Sequence, residues 1–280
     1  MLVYMALDYS AKEVRLPLSL RLLQRYEFPH KLGICERLFA ARLEKHGVCW
    51  VKTSVGPKWK LDLANSTHRW IVYGTYEGPG FLTWVRRNLN GAPTIVDSGA
   101  NIGQMLLYFA SYFPKARVLA FEPGRYQADW LSECLKRNPL PAVPLFHCAL
   151  SDGERTMYLD HSGHPHSHGS QNVVRSEASG ESIEVIRLST ILQEERVSKV
   201  DLWKLDVEGH EIPALEGAKE WLETKRIKAL WVETRGENGK AIEAYLRQFG
   251  YAAYLPDRRG KVRKLPLSNS ENTLFLPAQW

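Results

Sequence analysis

The chain has 280 residues, 44% of them hydrophobic and 24% charged, which is enough apolar material for a large domain with an extension. No apolar run approaches the roughly 20 residues of a membrane-spanning helix, and the opening Met1-Leu2-Val3-Tyr4-Met5-Ala6-Leu7-Asp8 lacks the basic stretch of a secretory signal, so a cytoplasmic chain without a membrane span is expected. The net charge of +6 resides in the N-terminal third, where residues 1–90 hold 14 Lys and Arg against 7 Asp and Glu; the remainder holds 23 against 24.

Residues 17–28 and 31–46 read as helices; in the second, Ile34, Cys35, Leu38, Phe39 and Leu43 recur at helical spacing while Arg37, Arg42 and Lys45 face elsewhere. Residues 48–52 and 58–63 alternate like paired strands around a Gly56-Pro57 turn. The basic excess of this region fits either a solvated face or an acidic partner such as a carrier domain. Its aromatics do not interleave with its basic residues, so no nucleic-acid partner is expected. A polar-aromatic segment, 68–77, precedes a helix at 81–89.

From residue 94 strand and helix alternate. Strands are expected at 94–98, 116–122, 143–149, 200–206 and 227–233, and helices at 102–113, 124–137, 210–222 and 237–249. That alternation argues for an α/β fold, a doubly wound, mostly parallel sheet with helices on both faces. The domain reading is an N-terminal helical and hairpin extension over 1–90, on the substrate side, and a cofactor domain over 91–280. An insertion at 151–190 carries a strand pair, 156–159 with 183–188, and Leu274-Phe275-Leu276 completes the main sheet. Cys35, Cys49, Cys134 and Cys148 have no C-x-x-C spacing and read as buried thiols.

The stretch Val96-Asp97-Ser98-Gly99-Ala100-Asn101-Ile102-Gly103 is a strand end, a tight turn and the approach to an apolar helix. Glu122 ends the next strand, where a carboxylate can accept from ribose hydroxyls. A dinucleotide turn reads G-x-G-x-x-G, and its middle glycine is missing here, so a nucleoside ligand without a pyrophosphate fits more easily. No Gly-Lys-Ser/Thr follows, which excludes a P-loop. Asp97, Glu122, Asp206 and Glu233 all fall at strand ends on the edge where such sheets bind ligands.

Together with Phe121-Glu122-Pro123 and Lys204-Leu205-Asp206-Val207-Glu208-Gly209-His210-Glu211, that stretch resembles the signatures of FkbM-type S-adenosylmethionine (SAM) methyltransferases. Leu61-Asp62-Leu63 and Gly74-Thr75-Tyr76-Glu77 are similar to the family's lead-in, and the likeness runs over about residues 55–255. The resemblance implies a class I methyltransferase (Rossmann-like) fold, a seven-stranded sheet with one antiparallel strand, and methyl transfer to a hydroxyl of a sugar or natural product. It also implies that Asp97, Gly99, Asn101 and Gly103 hold the methionyl part of SAM and that Glu122 binds the ribose. Ala149 and Asp152 would border the adenine, with Tyr76 and Glu77 approaching from the N-terminal side.

Methyl transfer to oxygen needs an aligned acceptor and a group that takes the hydroxyl proton. Asp206 is the first choice for acceptor binding or for that base, then Glu208, then His210; the plain alternative is a structural Lys204–carboxylate pair with Glu208 capping the next helix. Asp206 with Glu233 could instead hold Mg²⁺. His161, His164, His166 and His168 lie among Gly163, Pro165 and Gly169 and read as a substrate lid rather than a metal site. N-methylation of a peptide or amide, and a nicotinamide oxidoreductase on a similar fold, are the competing readings. A small-molecule or carrier-bound hydroxylated acceptor is the expected partner.

Overall fold

The computed structural model describes residues 11–53, 56–75, 79–160, 172–174, 180–264 and 271–278. The chain divides into two compact units, residues 1–78 with 136–138, and the remainder. The four-histidine segment, Tyr76 and Glu77 lie outside the described residues.

In the first unit Val48–Lys52 and Lys58–Asp62 pair antiparallel, as their alternation requires, and Glu13–Val14 joins Val48–Lys52 in parallel. The first helix is shorter than expected, Leu18–Leu23, and the second, Lys31–Leu43, ends in a 3₁₀ turn, Glu44–His46. A helix that the sequence pattern does not announce, Ser66–Tyr73, starts at Asn65, whose side chain accepts from Thr67 N at 2.9 Å. The second helix buries Lys31, Cys35 and Leu43, and half-buried Phe39 completes a stripe of every fourth residue. Ile34 and Leu38, expected on the core stripe, sit a third of a turn away and are exposed. Asn138 exchanges two 2.8 Å hydrogen bonds with the Lys58 backbone.

The second unit is built on an eight-stranded sheet. From one edge its order is Val262–Lys264, Tyr251–Pro256, Asn272–Pro277, Leu230–Glu233, Leu202–Leu205, Thr94–Ser98, Arg117–Phe121 and Leu145–Phe146. The last five run parallel to one another. Asn272–Pro277 is antiparallel to both neighbours. The expected seven strands are present with a single antiparallel member, and Val262–Lys264 adds an eighth as a second antiparallel strand. Its half-exposed and exposed residues carry no apolar signal that a sequence reading could have found.

The parallel strands are apolar because both faces are covered; Ile95, Val96, Val118, Leu119, Leu202, Trp203, Leu230 and Val232 are fully buried. Trp203 still satisfies its indole N–H, donating to Ser98 Oγ at 2.8 Å. The helix Pro79–Asn88 stacks Phe81 on Trp231 with ring centroids 4.0 Å apart.

Three expectations are corrected. The helix expected from 102 begins at Leu106, because Gly103 at φ 93° cannot be helical. The strand expected at 143–149 is two short ones, Leu145–Phe146 and Ala149–Leu150, serving different sheets. The helix expected at 210–222 is broken into Glu211–Glu216 and Lys219–Glu223, and an unforeseen helix, Leu188–Glu194, follows the insertion. The insertion's strand pair is Arg155–Asp160 with Gly180–Ile186, antiparallel, in a small sheet that Ala149–Leu150 and Asn172–Val174 complete. None of the four cysteines forms a disulfide; burial pushes the Cys49 thiol up to about 11 and Cys148 to about 12. Among the described residues no helix is long and apolar enough to cross a membrane.

Candidate active site

Strand order reverses between Thr94–Ser98 and Leu202–Leu205, where crossover loops leave a crevice at the carboxyl ends. The turn after Ser98 is shaped by glycine. Gly99 lies at φ 71°, and a Cβ there would sit 1.9 Å from the Asp206 carbonyl oxygen. Gly103 lies at φ 93°, with a Cβ position 2.6 Å from Leu131 Cδ1. Asn101 takes the left-handed conformation at φ 49°, which a short polar side chain tolerates.

Glu122 organises this turn from the neighbouring strand. One carboxylate oxygen accepts from Asn101 N at 2.7 Å and the other from Gly124 N at 2.9 Å. The group is nearly buried, and desolvation pushes it up to about 7 against those two hydrogen bonds. A carboxylate has lone pairs beyond the two used, so ribose hydroxyls can still donate to it.

Asp97 is fully buried, and neither of its oxygens has a hydrogen bond of normal geometry. Burial raises its proton affinity; the Lys204 ammonium, 3.4 Å away, and the Leu106 amide oppose this. Gln104 Nε2, in the same turn, is likewise buried without a partner. Buried polar atoms left open beside a glycine cradle are what a site for a ligand with an ammonium and a carboxylate requires, so these residues fit the methionyl end of SAM.

Lys204 joins the two halves of the site. It donates to Gly99 O at 2.7 Å and stands 3.4 Å from Asp97 and 3.5 Å from Asp206. Asp206, Glu208 and Glu233 place one carboxylate oxygen each within 4.8 Å of the others, all half-buried. Burial, reinforced by the neighbouring acids, pushes Glu208 up to about 7 and Glu233 to about 8. Arg235 offsets part of this from 3.2 Å beside Glu233 and also reaches Glu271. The sequence reading paired Asp206 with Glu233; the structure adds Glu208 to that pair.

Glu208 stands at φ 52° and Gly209 at φ 94°, so the loop turns sharply past the cluster. The residue that fixes the loop is Glu211, not Glu208 as the capping alternative supposed. Fully buried, Glu211 accepts from Val207 N at 3.2 Å, Gly209 N at 3.1 Å and Asn238 Nδ2 at 2.6 Å. An acid just after a glycine turn hints at such a role; nothing in the sequence points to Asn238.

His210 is not a member of the carboxylate cluster. Its Nε2 lies 3.0 Å from Ser151 Oγ, which also donates to Asp152 Oδ1 at 3.0 Å. Arg155 pairs with Asp152 at 2.7 Å and holds its carboxyl below the usual range. Asp152 therefore sits beside the Ser151 to which His210 is tied, while Ala149 pairs with Val185 in the small sheet.

A doubly wound, mostly parallel sheet of this order, with a glycine turn at the switch point, is the fold of a class I SAM-dependent methyltransferase. Residues 97–253, more than half the chain, match the Methyltransferase FkbM domain, and the chain belongs to that family. It is 32% identical over 213 residues to methyltransferase sdnD of Sordaria araneosa, covering 61% of this chain and 80% of that one. It is 29% identical over 194 residues to the 31-O-demethyl-FK506 methyltransferase FkbM of Streptomyces tacrolimicus, covering 58% and 74%. Among solved structures, an rRNA methylase from Streptococcus thermophilus superposes with a TM-score of 0.42 at 13% identity, covering 71% of this chain and 95% of that chain.

Proposed function

We propose that this enzyme methylates a hydroxyl of a small-molecule or carrier-bound acceptor, a sugar or natural product, and that the Asp206–Glu208–Glu233 cluster receives the hydroxyl proton. The observation that carries the reading is the cluster itself: three carboxylates within 4.8 Å, beside the turn that fits the donor. Bound SAM supplies an electrophilic methyl on a sulfonium. The chain's own residues must then align the acceptor oxygen, exclude water and take up one proton. Glu208 near 7 and Glu233 near 8 have proton affinities close to neutral pH, where a general base is most effective. Asp206, anchored at 3.5 Å from Lys204, is the acceptor-orienting member. His210, held by Ser151, would serve to brace the two loops.

The Streptomyces tacrolimicus relative is a 31-O-demethyl-FK506 methyltransferase, which supports oxygen over nitrogen as the receiving atom. A cytoplasmic setting accords with four cysteines outside any disulfide. The test is a methyl-transfer screen over hydroxylated, amide and carrier-bound acceptors, with and without EDTA. Turnover of a hydroxylated acceptor, insensitive to EDTA and lost in Asp206→Asn with Glu208→Gln, is expected. Turnover only of amides would overturn the oxygen assignment, and EDTA-sensitive turnover restored by Mg²⁺ would put a cation, not a proton, on the cluster. Binding of NAD(P) in place of S-adenosylhomocysteine would refute the cofactor.

A further inference from the structure

The first two helices, and the connection between them that holds Tyr26, turn apolar side chains outward. Leu18 is 69% exposed, Leu22 50%, Tyr26 64% and Leu38 64%, with Ile34 at 42%. On the second helix Ile34, Leu38 and Ala41 fall on one stripe by their spacing, so the exposure is a pattern and not one stray residue. Soluble surfaces scatter large aliphatic residues singly; a run of them has a use.

The surrounding charge is unbalanced in one direction. Arg25, Arg37, Arg42 and Lys45 are exposed. The acids of the same segment each have a basic partner other than these four: Glu13 pairs with Lys58 at 2.9 Å, Glu27 with Lys31 at 3.0 Å, Glu36 with Arg69 at 3.1 Å and Glu44 with Arg69 at 3.2 Å. Much of the positive excess of residues 1–90 is therefore displayed on this stretch.

We propose that these two helices are a peripheral docking surface for an anionic lipid bilayer. The arrangement of the residues favours lipid over protein. Three exposed apolar residues, Leu22, Tyr26 and Leu38, each follow an arginine directly in sequence. A protein interface gathers an apolar centre and depletes it of charge. A bilayer accepts interleaving, because leucine tips enter the acyl boundary while guanidinium groups stay at the phosphates and tyrosine sits between. A second copy of this chain would bring the same positive charge to the contact and be repelled.

The experiment is flotation of the full chain with vesicles of phosphatidylcholine alone and of phosphatidylcholine mixed with phosphatidylglycerol, at low and high salt. Binding to the anionic vesicles only, weakened by salt, is expected. Arg25→Gln and Arg37→Gln each lower partitioning about fivefold, the loss of one basic contact to a charged surface. Leu18→Ser with Leu22→Ser abolishes binding while S-adenosylhomocysteine binding, measured in the same preparation, stays unchanged and shows the variant folded. Equal binding to both vesicle types, or no binding to either, overturns the proposal. So does salt-sensitive binding that survives the leucine changes, which marks a general polyanion surface. Tight capture of an acidic acyl-carrier protein without vesicle binding assigns the face to a protein instead.

Discussion

Replacing Gly99 by alanine tests whether the donor turn and the acceptor loop are pressed together as closely as the structure shows. The new Cβ would lie 1.9 Å from the Asp206 carbonyl oxygen and 3.0 Å from its carbon. The obstacle is backbone, and it cannot rotate away: Asp206 N donates to Ser98 O at 3.2 Å within the parallel ladder that pairs Leu205 with Ser98. The strands must spread or the turn must shift. Gly209 is the control, since it has a similar left-handed φ of 94° with nothing within 4 Å of its Cβ position. Left-handed strain alone costs about 1–2 kcal/mol, which is all that Gly209→Ala should lose. Overpacking adds about 1–3 kcal/mol at Gly99, for a total of about 2–5 kcal/mol. At roughly 2–4 °C per kcal/mol for a domain of this size, Gly99→Ala should melt well below Gly209→Ala, by roughly 2–12 °C. Circular-dichroism melts with and without S-adenosylhomocysteine are the assay. Ligand at a hundredfold its Kd should add about 2.7 kcal/mol to the parent and little to Gly99→Ala. Equal melting of the two variants, with an undiminished ligand shift in Gly99→Ala, would refute the close approach.

Other outcomes follow from the same geometry. Glu122 is pushed up to about 7, and ribose hydroxyls donate best to its ionised form, so S-adenosylhomocysteine affinity should rise with pH up to about 7 and then level. Calorimetry on Glu122→Gln should find weaker, pH-flat binding; unchanged affinity would move the ribose contact elsewhere. Glu122, Glu208 and Glu233 are all raised, so the folded chain keeps protons that the unfolded chain releases above its ordinary 4.5. These groups therefore lower stability as pH climbs from about 4.5 to about 8, and Glu208→Gln with Glu233→Gln should flatten the fall of melting temperature over that window. Lys204→Met leaves Asp97 buried without its counter-charge and should cost about 3–5 kcal/mol in a denaturant melt; a loss under 1 kcal/mol would mean that Asp97 is already neutral. Glu211→Ala removes the acceptor for two loop amides and Asn238, and should lower kcat along with melting temperature, whereas an unaffected kcat would free the acceptor loop from Glu211.

The main sheet was legible because its parallel strands are buried on both faces and read as unbroken apolar runs; 94–98 matched to the residue, and 200–206 and 227–233 within a few. What escaped lacks that signal. The Ser66–Tyr73 helix depends on an asparagine cap, and the helix expected at 210–222 breaks at Ala218, whose φ of −121° leaves the helical region, beside Gly217, whose Cβ position lies only 2.0 Å from Ser151 O. Ile34 and Leu38 misled because helical spacing reports that a face is apolar and not whether anything covers it.

The site divides along the same physical line. Its donor half is written in contiguous residues, 97–103 and 121–123, since a glycine turn must follow its strand directly and the ribose acid must end the next one. The carboxylate cluster is assembled from the ends of two strands and the loop after one of them, so the strand order is what brings Glu233 beside Asp206 and Glu208. Lys204, which ties the 206–211 side to the turn through Gly99 O, and Glu211, which fixes the 207–209 loop through its amides, act on backbone atoms. Backbone atoms carry no side-chain identity, so no residue pattern records which amide or carbonyl is the partner. A sequence motif can therefore specify a glycine turn and the acid beside it while loops and insertions vary around them, and the choice of acceptor must come from residues outside the motif.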